Sequence, residues 1–495
     1  MNKKLYLNTF LSMIYQAISI VNGLLIPRLI LSSFGSTVNG LVSSISQMLS
    51  IISFLDLGVG SVVQVALYGP LSKKDNKQIS NVYLSSKKYF NLIAKILLVY
   101  IVFLCIYFSI FKETSFSWIY NVTLILAISI STVAQYFFGI TNTLLLNADQ
   151  RIYVVTILNI ITTILNAIIT IICINLNVSI QTVKLASSIV FLIKPIFLAI
   201  YVNRHYCIDL KKASTKDVLN NKWSGMIQHI STMFTNSSSY MILTIFSTFN
   251  QISVYNVYVM PLNSFRLLIE SFTVSYKSLF GTLIANKNFE KLKIDFNIFE
   301  KIIHFIAVII FGTIIVVLVP FVLLYTAGIH DTNYENYIFS FFITLSYFIF
   351  TIRIAYTTII FSAGHFKETQ LFCIIECFLN LFFSVCLLKF IGLPGIALGT
   401  CISNTYRLFS SIYYLKDNIL NIEISKIVGQ ILLDIICIIV IIAISKLFII
   451  RYTTVLVWFL DSALLFFVNF IVVGLIFCIF NFDLVKNMFT YLKRR

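Results

Sequence analysis

Charged residues and long polar segments are scarce in this sequence of 495 residues. Asp, Glu, Lys and Arg together make up 11% of the chain, whereas apolar residue types make up 59%. A soluble domain needs a polar surface, and no segment between the apolar stretches is long enough to form one. The composition therefore excludes an ordinary globular protein and indicates a chain that lies almost wholly in a membrane.

Sequence motifs for catalysis and for nucleotide or metal binding are also missing. There is no phosphate-binding glycine loop, no Ser/His/Asp arrangement and no cluster of metal ligands. The nine cysteines lie almost wholly within apolar stretches without a CxxC pair, so we expect no disulfide framework. We therefore expect no cofactor, no bound metal and no enzyme activity, and transport is favoured over catalysis.

The rest of the chain consists of fourteen apolar stretches. Each is long enough to cross about 30 Å of hydrocarbon, which requires roughly 20 helical residues. Because helices satisfy their own backbone hydrogen bonds in lipid, the sequence predicts an all-α polytopic membrane protein. The predicted spans are residues 6–31, 40–66, 90–111, 119–146, 153–175, 180–202, 224–246, 253–284, 302–326, 337–362, 369–390, 393–415, 427–449 and 454–482.

Basic residues predict the orientation, because cytoplasmic segments of membrane proteins carry an excess of Lys and Arg. With the N-terminus inside, 24 basic residues fall in cytoplasmic segments, against only Lys112, Lys389, Lys446 and Arg451 in outer segments. We therefore expect both termini in the cytoplasm. The formal charge of +17 follows from this bias and from attraction to anionic lipid, so we expect no nucleic acid partner.

A weak internal repeat relates the two halves of the chain at an offset of about 214 residues. The letters LSSF before span 2 match FSTF before span 8, Asp56 matches Glu270, and Asn166 matches Asn380. Six spans in each copy insert both copies the same way up, which predicts two pseudo-symmetric lobes with a site at their interface. The predicted domains are a six-helix lobe at 1–205, a cytoplasmic linker at 206–223, a six-helix lobe at 224–418, and an appended helix pair with a basic tail at 419–495.

The eighth span carries a polar stripe. Asn256, Asn263, Glu270 and Lys277 recur every seven residues, and Arg266 lies on the same helical face, four residues before Glu270. Charge is costly in hydrocarbon, so this face lines a water-filled cavity or forms a buried structural ion pair. We favour the cavity and keep the ion pair as the alternative.

Other polar residues in the predicted spans extend this candidate site. Arginine suits a phosphate group because its planar fork donates two parallel hydrogen bonds, and amides suit sugar hydroxyls. Packing between helices is the alternative for each polar stripe taken alone. The additional candidates are Arg353 and Arg407 for an anionic headgroup, with Gln47, Gln228 and Asn236 as polar lining.

Two further sets of polar residues receive weaker interpretations. His304 lies in an apolar helix, where a packed polar residue is favoured over a proton relay. Asp434 and Asp461 lie in the appended helix pair, and we expect them to pair with Lys446 or Arg451. We assign no function to these acids.

Several motifs resemble those of polysaccharide repeat-unit flippases, in the polysaccharide transporter branch of the MOP exporter superfamily. That superfamily also includes MATE drug exporters and the peptidoglycan-precursor flippase. The resemblance covers about residues 1–415 and depends on the order of its motifs. These are IPR at 26–28, FGSTVNGL at 34–41, FLDLGVG at 54–60, LYGPL at 67–71, NADQR at 147–151 and GLPGIALGT at 392–400.

The resemblance implies a MATE-like fold of two six-helix lobes plus an appended helix pair, in a bacterial cytoplasmic membrane. It implies that the protein moves undecaprenyl-pyrophosphate-linked oligosaccharide from the inner to the outer leaflet by alternating access. Possible partners are a polysaccharide polymerase and other glycan-assembly proteins. Arg28 occupies the place of a basic residue that the family often has, although it directly follows Pro27. Asp56, Glu270 or Glu376 is implied as the acid that couples transport to an ion gradient.

Two other functions remain open at this stage. An ion-coupled multidrug exporter predicts a cavity dominated by carboxylates and aromatic side chains, whereas arginines and amides are prominent here. A membrane glycosyltransferase or polysaccharide polymerase usually needs a sizeable outer loop, and the longest outer connection is about ten residues, near Gly328. The flippase is therefore the preferred prediction.

Overall fold

The computed structural model describes residues 3–56, 59–112, 116–208, 237–448 and 453–481. Within these ranges every regular element is a helix, which confirms the predicted all-α polytopic fold. The α-helices are α1 (Lys3–Ser50), α2 (Val59–Lys73), α3 (Asn76–Ile106), α4 (Trp118–Ala134), α5 (Ile140–Ala148), α6 (Ile152–Asn175), α7 (Ile180–His205), α8 (Ser237–Phe246), α9 (Phe249–Ala285), α10 (Phe289–Tyr325), α11 (Tyr337–Ser362), α12 (Gln370–Ile391), α13 (Leu393–Leu415), α14 (Ile424–Ser445) and α15 (Val455–Phe480).

Most helices follow the predicted spans to within a few residues. Ten helical segments of the described ranges are long and apolar enough to cross a membrane. The helices α9 and α13 coincide with predicted spans eight and twelve, although these more polar helices are not among the ten. Predicted span seven lies mostly outside the described residues, and α8 covers its end.

The first two predicted spans differ from the structure in how they are joined. The predicted spans leave residues 32–39 between them, but α1 runs through these residues with a kink at Gly35, whose φ is 81°. Glycine adopts this left-handed conformation without a steric penalty, so it turns the chain without a separate loop. The predicted gap between the spans is therefore a kink.

Predicted span two is not one regular helix. The α-helix ends at Ser50, a 3₁₀ segment runs over Ile51–Asp56, and α2 begins at Val59. Irregular backbone at membrane depth is tolerated where it is buried in protein or lines a cavity. Asp56 lies at the end of this irregular segment, where a carboxylate can contact freed backbone and neighbouring helices.

The chain divides into two compact units, Met1–Ser253 and Val254–Arg495. In the first unit, α1 packs on α6, α4 packs on α7, and α6 packs on α7. The second half of α1 also meets the chain just before the unit ends, where buried Asn39 donates from Nδ2 to Ser253 Oγ over 2.7 Å. In the second unit, α13 packs on α11 and α12, and α10 contacts α11, α14 and α15.

The internal repeat is visible in equivalent contacts within each unit. Ser187 on α7 donates to Asn166 Oδ1 on α6. In the second unit Asn380 on α12 donates to Ser403 Oγ on α13 over 3.3 Å. The asparagines match at the predicted offset and use a hydroxyl on the following helix. This agreement supports the two pseudo-symmetric lobes, whereas their exact domain boundaries stay a prediction.

The close packing of α12 on α13 depends on small residues. A Cβ atom on Gly395 would lie 2.3 Å from the backbone carbon and oxygen of Leu387, and one on Gly399 would lie 2.5 Å from Ser384 Oγ. Helices in lipid approach each other closely only where such side chains are absent. Gly392, with φ of 67°, turns the chain between the two helices.

We expect Gly395→Ala to lower the thermal unfolding temperature of the detergent-solubilised protein. Forcing a methyl group against backbone costs about 1–3 kcal/mol, because the backbone of α12 must move. Gly474→Ala is the matched control, since nothing lies within 4 Å of the new Cβ in α15. Equal unfolding temperatures for the two variants would contradict this close helix contact.

Candidate functional site

A buried carboxylate shared by two arginines lies at the centre of the second unit. Arg353 on α11 donates from Nη1 to Glu376 Oε1 on α12. Arg407 Nε on α13 lies 3.7 Å from the other carboxylate oxygen, Oε2. Three successive helices are thereby joined through one charged group. Such a pair is favourable in a buried place only when hydrogen bonds complete it.

Neutral groups complete the hydrogen bonds of this cluster. Arg353 Nη1 also donates to Asn404 Oδ1 over 3.2 Å, and Asn404 Nδ2 donates to the Ser346 carbonyl oxygen over 3.2 Å. Arg407 Nη1 donates to the carbonyl oxygen of Thr369 over 3.1 Å. We call Arg353, Glu376, Asn404 and Arg407 the Glu376 cluster. Its side chains are all buried.

A second ion pair lies beside the Glu376 cluster, separated from it by an aromatic ring. Arg266 Nε on α9 lies 3.2 Å from Glu270 Oε1, as the spacing predicted. The guanidinium carbons of Arg266 and Arg353 lie 4.8 and 4.5 Å from the centroid of the same Phe350 ring. Aromatic rings attract cations through their negative faces, so Phe350 lets two guanidinium groups approach one another.

The polar stripe of α9 contacts α11 along its length. Tyr347 donates its hydroxyl to Asn263 Oδ1 over 2.6 Å. Lys277 Nζ lies 5.9 Å from the ring centroid of Phe361. Together with Arg266 over Phe350, these contacts show that helix packing, the alternative kept at the sequence level, accounts for part of this stripe. The side chains of Arg266 and Glu270 nevertheless remain 17% and 35% exposed, so protein does not cover them completely.

The charges of the two neighbouring groups do not cancel. Three guanidinium groups, on Arg266, Arg353 and Arg407, face two carboxylates, on Glu270 and Glu376. These five side chains therefore carry a net charge of +1. Exposure falls from Arg266 through Arg353 (11%) to Arg407 (3%). An excess of positive charge on arginine forks is suited to an anion with several oxygens, such as a phosphate group.

Three other candidate residues belong to the first unit. Half-buried Arg28 and Gln47 lie on α1, before and after the kink at Gly35. Asp56 makes a hydrogen bond with the Tyr136 side chain, which lies in a π-helical turn, Gln135–Gly139. Single π-turns occur frequently at functional sites, and this acid stays a candidate for ion coupling. Gln228 and Asn236 lie outside the described residues.

Sequence reasoning missed three residues of the site. Asn404 lies three residues before Arg407, Phe350 lies three before Arg353, and Tyr347 one turn further back. This helical spacing is a usable signal, because residues three apart share a face. It was hidden because aromatic residues are abundant in apolar spans and an asparagine has no charge to mark it.

Asp434 has a different partner from the one expected. It does not pair with Lys446: His304 Nδ1 on α10 contacts its Oδ2 at 2.5 Å. Arg451, the other expected partner, lies outside the described residues. The prediction for Asp434 was wrong. It named basic residues that are close in sequence, whereas the packing of α14 on α10 brings His304 to Asp434. Within the described ranges, no group of three acidic, histidine or cysteine side chains could hold a metal ion.

Comparison with solved structures identifies the fold. The structure "Lipid II flippase MurJ, inward closed conformation" matches with a TM-score of 0.71 and 16% identity, over 97% of this chain and 100% of that one. An outward-facing MATE multidrug resistance transporter of the MOP superfamily matches with a TM-score of 0.60 and 15% identity, over 83% of this chain and 94% of that one. An inward-facing MATE transporter gives 0.57 and 13%, over 80% and 93%.

These similarities define the fold class of the protein. The chain has the helical fold of MOP-superfamily transporters, as the resemblance implied, and it is a multi-pass membrane protein. Protein-family models and curated protein sequences give no match to the chain. At these low identities the similarity establishes the fold alone, so substrate and mechanism depend on the site.

We expect Glu376→Gln to destabilise the protein strongly. The substitution keeps the shape but leaves the buried guanidinium groups of Arg353 and Arg407 without a counter-charge, which costs about 3–5 kcal/mol. Unfolding in mixed micelles with increasing denaturing detergent measures this change. Glu423→Gln is the control, because its ion pair with Lys426 (3.0 Å) is exposed and such pairs contribute about 0–1 kcal/mol. Similar losses in both variants would show that the Glu376 cluster does not link these helices.

Proposed function

We propose that the protein is a flippase that translocates undecaprenyl-pyrophosphate-linked oligosaccharide repeat units from the inner to the outer leaflet by alternating access. The product serves the synthesis of a surface polysaccharide such as capsule or O-antigen. The observation that carries this proposal is the excess of arginine in the second unit, beside a polar and aromatic helix face. The MOP-type fold supports it, since one structural neighbour is named a lipid II flippase.

The pyrophosphate is the part of the substrate that these arginines would bind. Moving a charged headgroup through about 30 Å of hydrocarbon without protein is prohibitive, because burial of an unpaired charge costs many kcal/mol. Arg266 has the most exposed side chain of the three, and Glu270 is its partner. A phosphate oxygen that displaces Glu270 would gain a charge-assisted hydrogen bond without creating a new buried cation.

The Glu376 cluster has a supporting role in this proposal. Arg353 is held by Glu376, Asn404 and the Phe350 ring, so its guanidinium is fixed before any ligand binds. A fixed donor loses little conformational entropy on binding, which favours affinity. The amides of Asn263 and Gln47 are proposed to bind sugar hydroxyls. Asp56, Glu270 and Glu376 remain the proposed acids for coupling to an ion gradient.

The alternative function, an ion-coupled multidrug exporter, predicts a different ligand. A cationic drug requires carboxylates that are not already neutralised, whereas Glu270 and Glu376 each contact an arginine. A binding pocket with net positive charge repels such a ligand. The flippase is therefore preferred, and an ion-coupled drug exporter is kept as the alternative. For sugar transfer by a polymerase, no catalytic group is assigned.

The decisive experiment measures which leaflet holds the lipid-linked oligosaccharide in cells depleted of this protein. Finished units should accumulate, shielded from an impermeant probe added outside. Normal arrival of these units at the outer leaflet, in cells without a redundant flippase, would overturn the proposal in favour of drug efflux or polymerisation. Sugar transfer by the purified protein would do the same.

We expect Arg266→Gln to reduce glycan export about 10- to 100-fold, since a hydrogen bond to a charged group contributes about 1.5–3 kcal/mol. Arg353→Ala should block export as well, with membrane insertion unchanged in both variants. Arg151→Gln is the control, because Arg151 belongs to the first unit and pairs with Asp149 at 2.7 Å in a turn between α5 and α6. Normal export by the Arg266 and Arg353 double variant would remove pyrophosphate binding from these residues.

A further inference from the structure

A continuous chain of buried hydrogen bonds connects α10, α11 and α14, separate from the Glu376 cluster. His304 Nδ1 contacts Asp434 Oδ2 at 2.5 Å, and His304 Nε2 lies 3.3 Å from the Tyr356 hydroxyl. That hydroxyl donates to Glu300 Oε1 over 2.6 Å. All four side chains are buried.

This series of hydrogen bonds continues beyond Asp434 to Gln430 and Lys301. Lys301 Nζ donates to Gln430 Oε1 over 2.7 Å, and Gln430 Nε2 donates to Asp434 Oδ1 over 2.9 Å. Asp434 Oδ1 therefore accepts from Gln430, and Asp434 Oδ2 lies against His304 Nδ1. A carboxylate that only accepts hydrogen bonds is ionised.

The direction of these bonds identifies the charge on His304. The hydroxyl of Tyr356 has one proton, and it is donated to Glu300, so its oxygen can only accept from His304 Nε2. An ionised Asp434 can only accept a hydrogen bond from His304 Nδ1. With Asp434 ionised, both ring nitrogens of His304 would be donors, which is the imidazolium form.

The charge balance leads to the same assignment. Lys301 contributes +1, Asp434 and Glu300 contribute −1 each, and an imidazolium on His304 brings the sum to zero. With a neutral imidazole the buried group would carry −1, which is unfavourable away from water. Two further titratable side chains of α14 lie near this group, Cys437 one turn from Asp434 and Lys426 on the wall of the adjoining cavity. Helix α15 packs on α10 through the Asn469–Thr313 hydrogen bond and apolar rings.

A cavity lies next to this group. A cavity of about 740 Å³ between α10, α14 and α15 is lined by Glu300, Lys301 and Gln430, with Lys426 and Asn481 also on its wall. A cavity of this size with several polar partners can hold many water molecules. Protons can therefore reach the buried His304 through Glu300 and Tyr356.

We propose that His304, with Asp434, Tyr356 and Glu300, is a proton-binding site that links the attachment of α14 to transport. The link to transport rests on the proposed function, whereas the proton site itself does not. Release proceeds as the Nε2 proton of His304 passes to the Tyr356 oxygen while the Tyr356 hydroxyl proton passes to Glu300, and from there to cavity water. The group left behind has a net charge of −1, which weakens the contact between α10 and α14.

Nitrogen NMR on the full chain in liposomes tests the proton site without any substrate. The protein is labelled with ¹⁵N in its five histidine rings, and His304→Gln identifies which signals belong to His304. We expect these signals to be those of an imidazolium at pH 7.5 and to become neutral in Asp434→Asn, which keeps the side-chain shape. His365→Gln is the control, because His365 contacts the Tyr414 hydroxyl and no carboxylate there.

Each outcome decides the proposal. A neutral His304 ring in the wild-type protein at pH 7.5 would overturn the proton site. If Asp434→Asn does not fold, Tyr356→Phe removes the acceptor of Nε2 and should also yield the neutral ring. An imidazolium signal together with normal export by His304→Gln would overturn the link to transport. Loss of export in His304→Gln, with insertion intact and with normal export by His365→Gln, would support it.

Discussion

Hydrocarbon offers no hydrogen bonds, and the structure depends on this constraint throughout. Helices satisfy backbone groups locally, so every regular element in the described part of the chain is a helix. Polar side chains in these helices need partners from other helices, and those partners determine which helices pack together. Glu376 joins α11, α12 and α13 in this way, and Asp434 joins α14 to α10.

The Glu376 cluster and the group around His304 compensate their buried charges in different ways. In the Glu376 cluster, one carboxylate serves two arginines, and with Arg266 and Glu270 the sum remains positive. Around His304 the four charges can sum to zero only when the imidazole holds a proton. The first arrangement is suited to an anionic ligand, and the second is suited to a proton. The same chain therefore assigns the proposed headgroup contact and the proposed proton contact to different side chains, although Arg353 and Tyr356 lie only three residues apart on α11.

The appended helices gain a role from this arrangement. The sequence repeat stops before α14 and α15, so these helices are additional to the duplicated lobes. The structure ties α14 to α10 by charged and amide side chains, and α15 to α10 by aromatic rings and the Asn469–Thr313 hydrogen bond. A purely apolar contact would hold them without any dependence on charge, whereas the contact made by Asp434 depends on the state of His304.

Composition and periodicity by themselves determined the fold class, the approximate ends of most helices and the Arg266–Glu270 pair. These features depend on local spacing and on the hydrophobic thickness of a bilayer, which a sequence reports directly. Tertiary structure alone decided that Arg353, Arg407 and Glu376 meet, that Phe350 lies under two guanidinium groups, and that Asp434 contacts His304 rather than Lys446. Glu376 lies 23 residues from Arg353, and Asp434 lies 130 residues from His304. Only the packing of helices brings such distant residues together, so no local pattern could have paired them.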